Sequence, residues 1–94
     1  MKYQIAMRDR RPHYWKCVSG TRIKLPVDGT YAIRKHGEFE WKVDQVETGC
    51  TVCSAWSRYD AIRRVREIVE QRGPEAFTKA IKKRTRQLKK IGML

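Results

Sequence analysis

Between Tyr31 and Val43 apolar and polar side chains alternate, with one interruption at His36-Gly37. Tyr31 and Ile33 alternate with Ala32 and Arg34 before it; Phe39, Trp41 and Val43 alternate with Glu38, Glu40, Lys42 and Asp44 after it. A period of two is what a half-buried strand needs, and glycine at the reversal accepts the positive φ of a tight hairpin. Glu47-Thr48-Gly49 offers a second reversal into CTVCSAW. The stretch from about Thr30 to Trp56 therefore reads as a three-stranded antiparallel meander with one aromatic and one charged face.

The flanks fit around that meander. Upstream, Tyr3, Ile5 and Met7 alternate with Lys2, Gln4 and Arg8, RDRRP ends the segment, and HYWKCV and RIKL give further short strand signals before the PVDG turn. Downstream, Ser57 supplies a hydroxyl N-cap with Asp60 three positions on. Ile62, Val65 and Val69, with Ala61 and Ile68 beside them, fall on one helical stripe, while Arg63, Arg66, Glu67 and Glu70 face away. Gly73 ends this helix and Pro74 begins another, whose thinner stripe of Phe77, Ala80, Ile81, Leu88 and Ile91 is interrupted at Arg84 and Thr85. From Pro74 to Ile91 it would be roughly 27 Å long at about 1.5 Å per residue, with its outer turns free of the body.

With 94 residues there is room for one domain and little room for a large catalytic cleft. The expected fold is α+β over residues 1–94: mainly strands over 1–56, a helix over 57–72, and a basic helix over 74–91. A small antiparallel sheet, the meander plus one or two N-terminal strands, packs on the first helix.

Charge is the strongest functional signal. The formal net charge is +12, and residues 58–94 supply most of it, with twelve basic and four acidic side chains. Lys79, Lys82, Lys83, Arg84, Arg86, Lys89 and Lys90 occupy seven of the twelve positions from 79 to 90, with no acid among them. Solvated helices usually interleave both signs, so an acid-free run points to a polyanion, and the commonest is nucleic acid. These seven cations spread around most of the helix. Arg8, Arg10 and Arg11 form a second basic cluster, either an ordinary exposed loop or an arm reaching phosphate. Tyr14 and Trp15, set among basic residues in HYWK, would fill the core or offer a stacking platform for a base.

Other chemistries find less support. His13 and Cys17, with Cys50 and Cys53, have spacings that a tetrahedral zinc site could use. Thr51 and Val52 continue a strand pattern, however, and strict alternation would point Cys50 and Cys53 to opposite faces, so no metal or cofactor is expected. His13 and His36 are the only imidazoles. Glu38 and Glu40 fit an ordinary cross-strand charge pattern with Lys35 and Lys42, and no nucleophile elbow or phosphate loop occurs. No enzymatic activity is expected. An odd cysteine count, and an N-terminus with no signal-length apolar run before Arg8, suggest an intracellular, cytoplasmic chain with no membrane partner.

Residues 29–71 resemble the arm-type N-terminal DNA-binding domain of phage tyrosine recombinases. The resemblance is carried by Tyr31, Ile33, Arg34, Gly37, Trp41 and Val43 in the hairpin, then Asp60, Ala61 and Val65 in the helix. It implies a three-stranded sheet backed by a helix, with the outer sheet face entering the major groove. Here that face would hold Ala32, Arg34, Glu38, Glu40, Lys42 and Asp44, whose carboxylates repel phosphate. The recombinase activity of that family is not expected to carry over.

The expected function is non-enzymatic DNA or RNA binding, with the C-terminal helix on phosphates. The alternative is a small phage or mobile-element protein that modulates a host nuclease or defence complex by gripping an acidic protein surface. Attachment to a ribonucleoprotein is a third reading.

Overall fold

The computed structural model of the chain describes residues 1–9 and 11–94. Among these, the strands in order are β1 (Lys2–Met7), β2 (Tyr14–Ser19), β3 (Thr21–Ile23), β4 (Tyr31–His36), β5 (Glu40–Gln45) and β6 (Cys50–Ala55). A helical stretch, Arg58–Lys90, follows and is broken at Gly73, whose φ of 79° and ψ of 163° lie outside the helical region. It comprises two helices, α1 (residues 58–72) and α2 (residues 74–90). A left-handed φ disfavours any residue with a Cβ, so glycine sets this kink.

The meander forms as the alternation requires: β4 pairs β5 from Tyr31↔Gln45 to His36↔Glu40, and β5 pairs β6 from Trp41↔Ala55 to Gln45↔Cys50. Of the N-terminal strand signals, β3 extends this sheet beside β4, giving the order β3-β4-β5-β6, while β1 and β2 pair only with each other as a separate hairpin. The fold is α+β with three layers: hairpin, four-stranded sheet, helices.

The middle layer explains the burial of β4, where Tyr31, Ala32, Ile33 and Arg34 are all buried in succession. Tyr31 and Ile33 join Val43, Ala61, Val65, Val69 and Phe77 in the core beneath the helices. The rings of Tyr31 and Phe77 meet edge to face, 6.4 Å between centroids. Ala32 faces the other way, packing with Tyr3 and Ile5 of β1. Strand β1 also donates from Ala6 N to Gly49 O at 2.9 Å. A Cβ at Gly49 would meet Gln4 O at 2.8 Å and Ala6 N at 2.9 Å, so only glycine allows β1 so close.

The charged sheet face is therefore not the open surface expected from the alternation. The β1–β2 hairpin covers its near half, burying Arg34 and Asp44, while Glu38 and Glu40 at the β4–β5 turn remain toward solvent. Alternation tells which side chains share a face; it carries no information about what lies over that face.

A second departure is a bulge. Val43 pairs Cys53 and Asp44 pairs Thr51, leaving Val52 unpaired. The extra residue returns Cys50 and Cys53 to the same side of the sheet, against the opposite-face expectation. Thr51 Oγ1 donates to Asp44 Oδ1 at 2.8 Å on the hairpin side, and Cys53 Sγ lies 3.6 Å from Ala61 O on the helix side.

The third departure concerns α2, whose outer turns are docked, not free. Leu88 is fully buried. The helix closes with Met93 N on Leu88 O at 2.8 Å and Gly92 N on Lys89 O at 3.1 Å, the paired bonds of a Schellman turn. Trp15 Nε1 then donates to Met93 O at 3.1 Å and ties the C-terminus to the hairpin. Thr85 interrupts the stripe without opening it, since its hydroxyl bonds Ile81 O at 2.9 Å within the helix.

Candidate nucleic-acid interface

Docking α2 along Phe77, Ile81 and Leu88 fixes which way its cations point. At about 100° per residue, Lys79, Lys82, Lys83, Arg86, Lys89 and Lys90 fall within an arc of about 120° opposite that stripe. All are exposed. Arg84 alone stands on the other side, beside the stripe, where it lines a cavity of about 200 Å³ with Tyr31, Cys50, Ile68, Arg72 and Phe77. The cations thus form one face and one flanking residue, not the spread around the helix that was expected. From Lys79 to Lys90 that face is about 16 Å long at about 1.5 Å per residue.

Among the described residues no carboxylate comes within ion-pair distance of these cations. Among the described residues the ion pairs are Arg34–Asp44, Lys42–Glu40, Arg63–Asp60 and Arg63–Glu67, and none involves α2. Helix α1 provides the contrast: Arg63 is held 2.9 Å from Glu67 and 3.5 Å from Asp60. The Glu67 hydrogen bond is the main reason that the Arg63 guanidinium holds its proton above its usual range. Lys89 and Lys90 also sit in the last turn, where the helix dipole favours cations, so part of their placement is structural. The other four have no such role.

Arg8 and Arg11 are exposed in the β1–β2 loop, and Arg10 lies outside the described residues. Trp15 stands one pair in from that loop, opposite Ala6. The hairpin that carries the second basic cluster thus also holds the end of the basic helix.

Tyr14 and Trp15 do not form an open platform: both are half-buried, and Trp15 packs over Gly49 while bonding Met93. The exposed aromatic rings are Trp56, Tyr59 and Phe39, at 79%, 76% and 69% accessibility. Sequence patterning missed them because a strand-end Trp and a first-turn Tyr fit the apolar pattern equally well whether covered or open.

Nor are the zinc-spaced residues gathered. Cys17 is exposed on β2, opposite Gln4, whereas Cys50 and Cys53 lie on β6 of the other sheet. Among the described residues His13 Nδ1 is enclosed without a hydrogen-bond partner. Among the described residues no three His, Cys, Asp or Glu side chains converge as metal ligands.

The cavity beside Arg84 also carries Tyr31, Thr48, Cys50 and Arg72. Burial, aided by Glu47 and Asp28, pushes the Tyr31 hydroxyl up to about 12, which keeps it protonated near neutral pH. His36 Nδ1 lies 3.3 Å from Arg34 Nη1, away from that cavity, and Glu40 is 3.6 Å from Lys42. Among the described residues no helix is long and apolar enough to cross a membrane. Compared with protein-family models, curated proteins and solved structures, the chain matches none.

Proposed function

We propose that this chain is a non-enzymatic nucleic-acid-binding protein that grips phosphates through α2, acting inside the cell. The observation that carries the reading is the set of six cations on the α2 face opposite Phe77, Ile81 and Leu88, exposed and without a carboxylate partner. A rigid face of this length meets several phosphates at once, and such contacts position a protein without reading sequence. Arg8, Arg10 and Arg11 would add contacts from the hairpin loop.

Nothing in this reading uses the charged sheet face. Arg34 and Asp44 lie under the β1–β2 hairpin, so the groove-entering mode implied by the recombinase resemblance is not the one proposed.

Replacing Lys82, Lys83, Arg86 and Lys89 together by Gln tests it. Binding to a random DNA or RNA duplex, followed by fluorescence anisotropy at low salt, should be lost; unchanged affinity at moderate salt would refute the reading. A nuclease-treated pull-down runs beside it. A stoichiometric protein partner there, with no salt-sensitive binding to nucleic acid, would reassign the same cations to an acidic protein surface on a host complex.

A further inference from the structure

The three most exposed large apolar side chains, Trp56, Tyr59 and Phe39, belong to one end of the four-stranded sheet. Ala55 pairs with Trp41, so Trp56 lies one residue beyond that pair on β6 and Phe39 two residues beyond it on the approach to β5. Ser57 then caps α1, which brings Tyr59 into its first turn, three positions after Trp56. At about 3.3 Å per residue the backbones of Phe39 and Trp56 are within about 10 Å. None of the three rings stacks on another ring, and neither the Trp56 indole nor the Tyr59 hydroxyl is engaged in a hydrogen bond among the described residues. Their faces are open to a ligand.

The charges around them lean positive. Arg58 stands between Trp56 and Tyr59, and Lys35 is paired in register with Trp41; neither has a carboxylate partner. Of the nearby acids, Glu40 is engaged by Lys42 and Asp60 by Arg63, leaving Glu38 open. Ser57 and Arg58 stand between Trp56 and Tyr59 in the chain and Glu40 follows Phe39; separate flat rings flanked by polar groups suit flat ligands. Nucleobases present a π-face whatever their sequence, but only when unpaired; in a duplex those faces are hidden.

We propose that Trp56, Tyr59 and Phe39 form a stacking platform for unpaired bases of single-stranded nucleic acid, with Arg58 on a neighbouring phosphate. The proposal rests on the reading of α2 as a phosphate-binding helix and adds a second, chemically different surface to it. Glu40 begins β5 at the platform, and Gln45 ends it at the cavity lined by Phe77 and Ile81, on the side of α2 opposite its six cations. Glu40 and Gln45 are about 17 Å apart at about 3.3 Å per residue. A ligand that fills both surfaces joins a duplex to a single-stranded tail.

The test uses the full chain and two fluorescein-labelled probes, an oligothymidylate of about 12 nucleotides and a random duplex of about 12 base pairs. The Trp56→Ala/Tyr59→Ala variant should lose about tenfold or more in affinity for the oligothymidylate, with duplex affinity and unfolding midpoint unchanged. The quadruple Gln variant of α2 should weaken both probes. Oligothymidylate should quench the tryptophan emission of the wild type, and Trp56→Phe should abolish most of that quenching while retaining most of the affinity. Retained oligothymidylate affinity in the double variant, or equal loss on both probes, overturns the platform and leaves the α2 reading standing. A wild type that binds neither probe overturns both.

Discussion

Arg34 Nε donates to Asp44 Oδ2 at 2.6 Å, with 6% of one side chain and none of the other accessible. Tyr3 Oη donates to the same oxygen at 2.7 Å and Thr51 Oγ1 to Asp44 Oδ1 at 2.8 Å. One carboxylate thus joins the hairpin, β4 and β6. Removing it leaves a guanidinium buried without its counter-charge and two hydroxyls without their acceptor. Asp44→Ala should cost about 3–5 kcal/mol, close to the whole stability of a small domain. Tyr3→Phe, which deletes one donor, should cost about 1 kcal/mol. Urea denaturation compares them, and equal losses would contradict the central role given to Asp44.

Three acidic groups are held neutral by the fold, so alkali should loosen it. Burial first, then the hydrogen bond to Asp44, pushes the Tyr3 hydroxyl up; burial raises Tyr31 to about 12 and the Cys53 thiol to about 11. In the unfolded chain these groups ionise nearer their ordinary values, 9.0 for the thiol and 10.0 for the phenols. Their contribution to stability is complete below about pH 9 and is lost as pH rises from there through about 12. Urea midpoints should fall across that window, and Cys53→Ala should remove the earliest part of the fall. A midpoint constant to pH 11 would contradict the burial of these groups.

Thiol labelling separates the cysteines. Cys17 is exposed, while the Cys53 thiol is half-buried, 3.6 Å from Ala61 O, with burial raising its pKa despite Arg64. The thiolate is the reactive form. With an excess of Ellman's reagent at about pH 8, Cys17→Ser should abolish the fastest phase and Cys53→Ser the slowest. The reverse order would contradict the placement of β6 beneath α1.

Leu88 reports whether the basic helix is part of the fold. Its side chain is fully buried, whereas Ile91, three residues on, is 41% accessible. Leu88→Ala should cost about 3 kcal/mol or more and Ile91→Ala under about 1 kcal/mol, measured by thermal unfolding. Equal small effects would mean that the last turns of α2 leave the body.

The meander and the Gly73-Pro74 kink were legible because their causes are local: a period of two between glycine turns, and a glycine followed by a proline. The apolar stripe of α1 was legible for the same reason. Tyr3 and Ile5 mark a strand but do not say that it crosses Ala32, because a non-local contact leaves no trace in a neighbour's identity. Val52 fits the strand pattern, and only pairing against β5 makes it the extra residue of a bulge. The cations of α2 were visible as a run, and the arc that six of them share follows from helical spacing; that this arc faces solvent follows only once Leu88 continues the buried stripe past Arg84 and Thr85. Trp56 and Tyr59 were legible as aromatic but not as open, since exposure depends on the absence of a covering element.

Because one α2 cation faces away from the other six, single substitutions should not be equivalent. Arg86 lies in the middle of the outward arc and Lys83 at one edge of it, while Arg84 lines the cavity beside Phe77. If about six phosphates are neutralised, the logarithm of duplex affinity should fall against the logarithm of salt concentration with a slope near about −5. Lys83→Gln or Arg86→Gln should each weaken binding and make that slope shallower by about 1, since each removes one released counterion. Arg84→Gln should leave the slope unchanged, although it carries the same charge in the same run. Anisotropy titrations across a salt series measure all three. Equal effects from Arg84 and Lys83 would mean that net charge, and not the face set by Phe77, Ile81 and Leu88, governs binding.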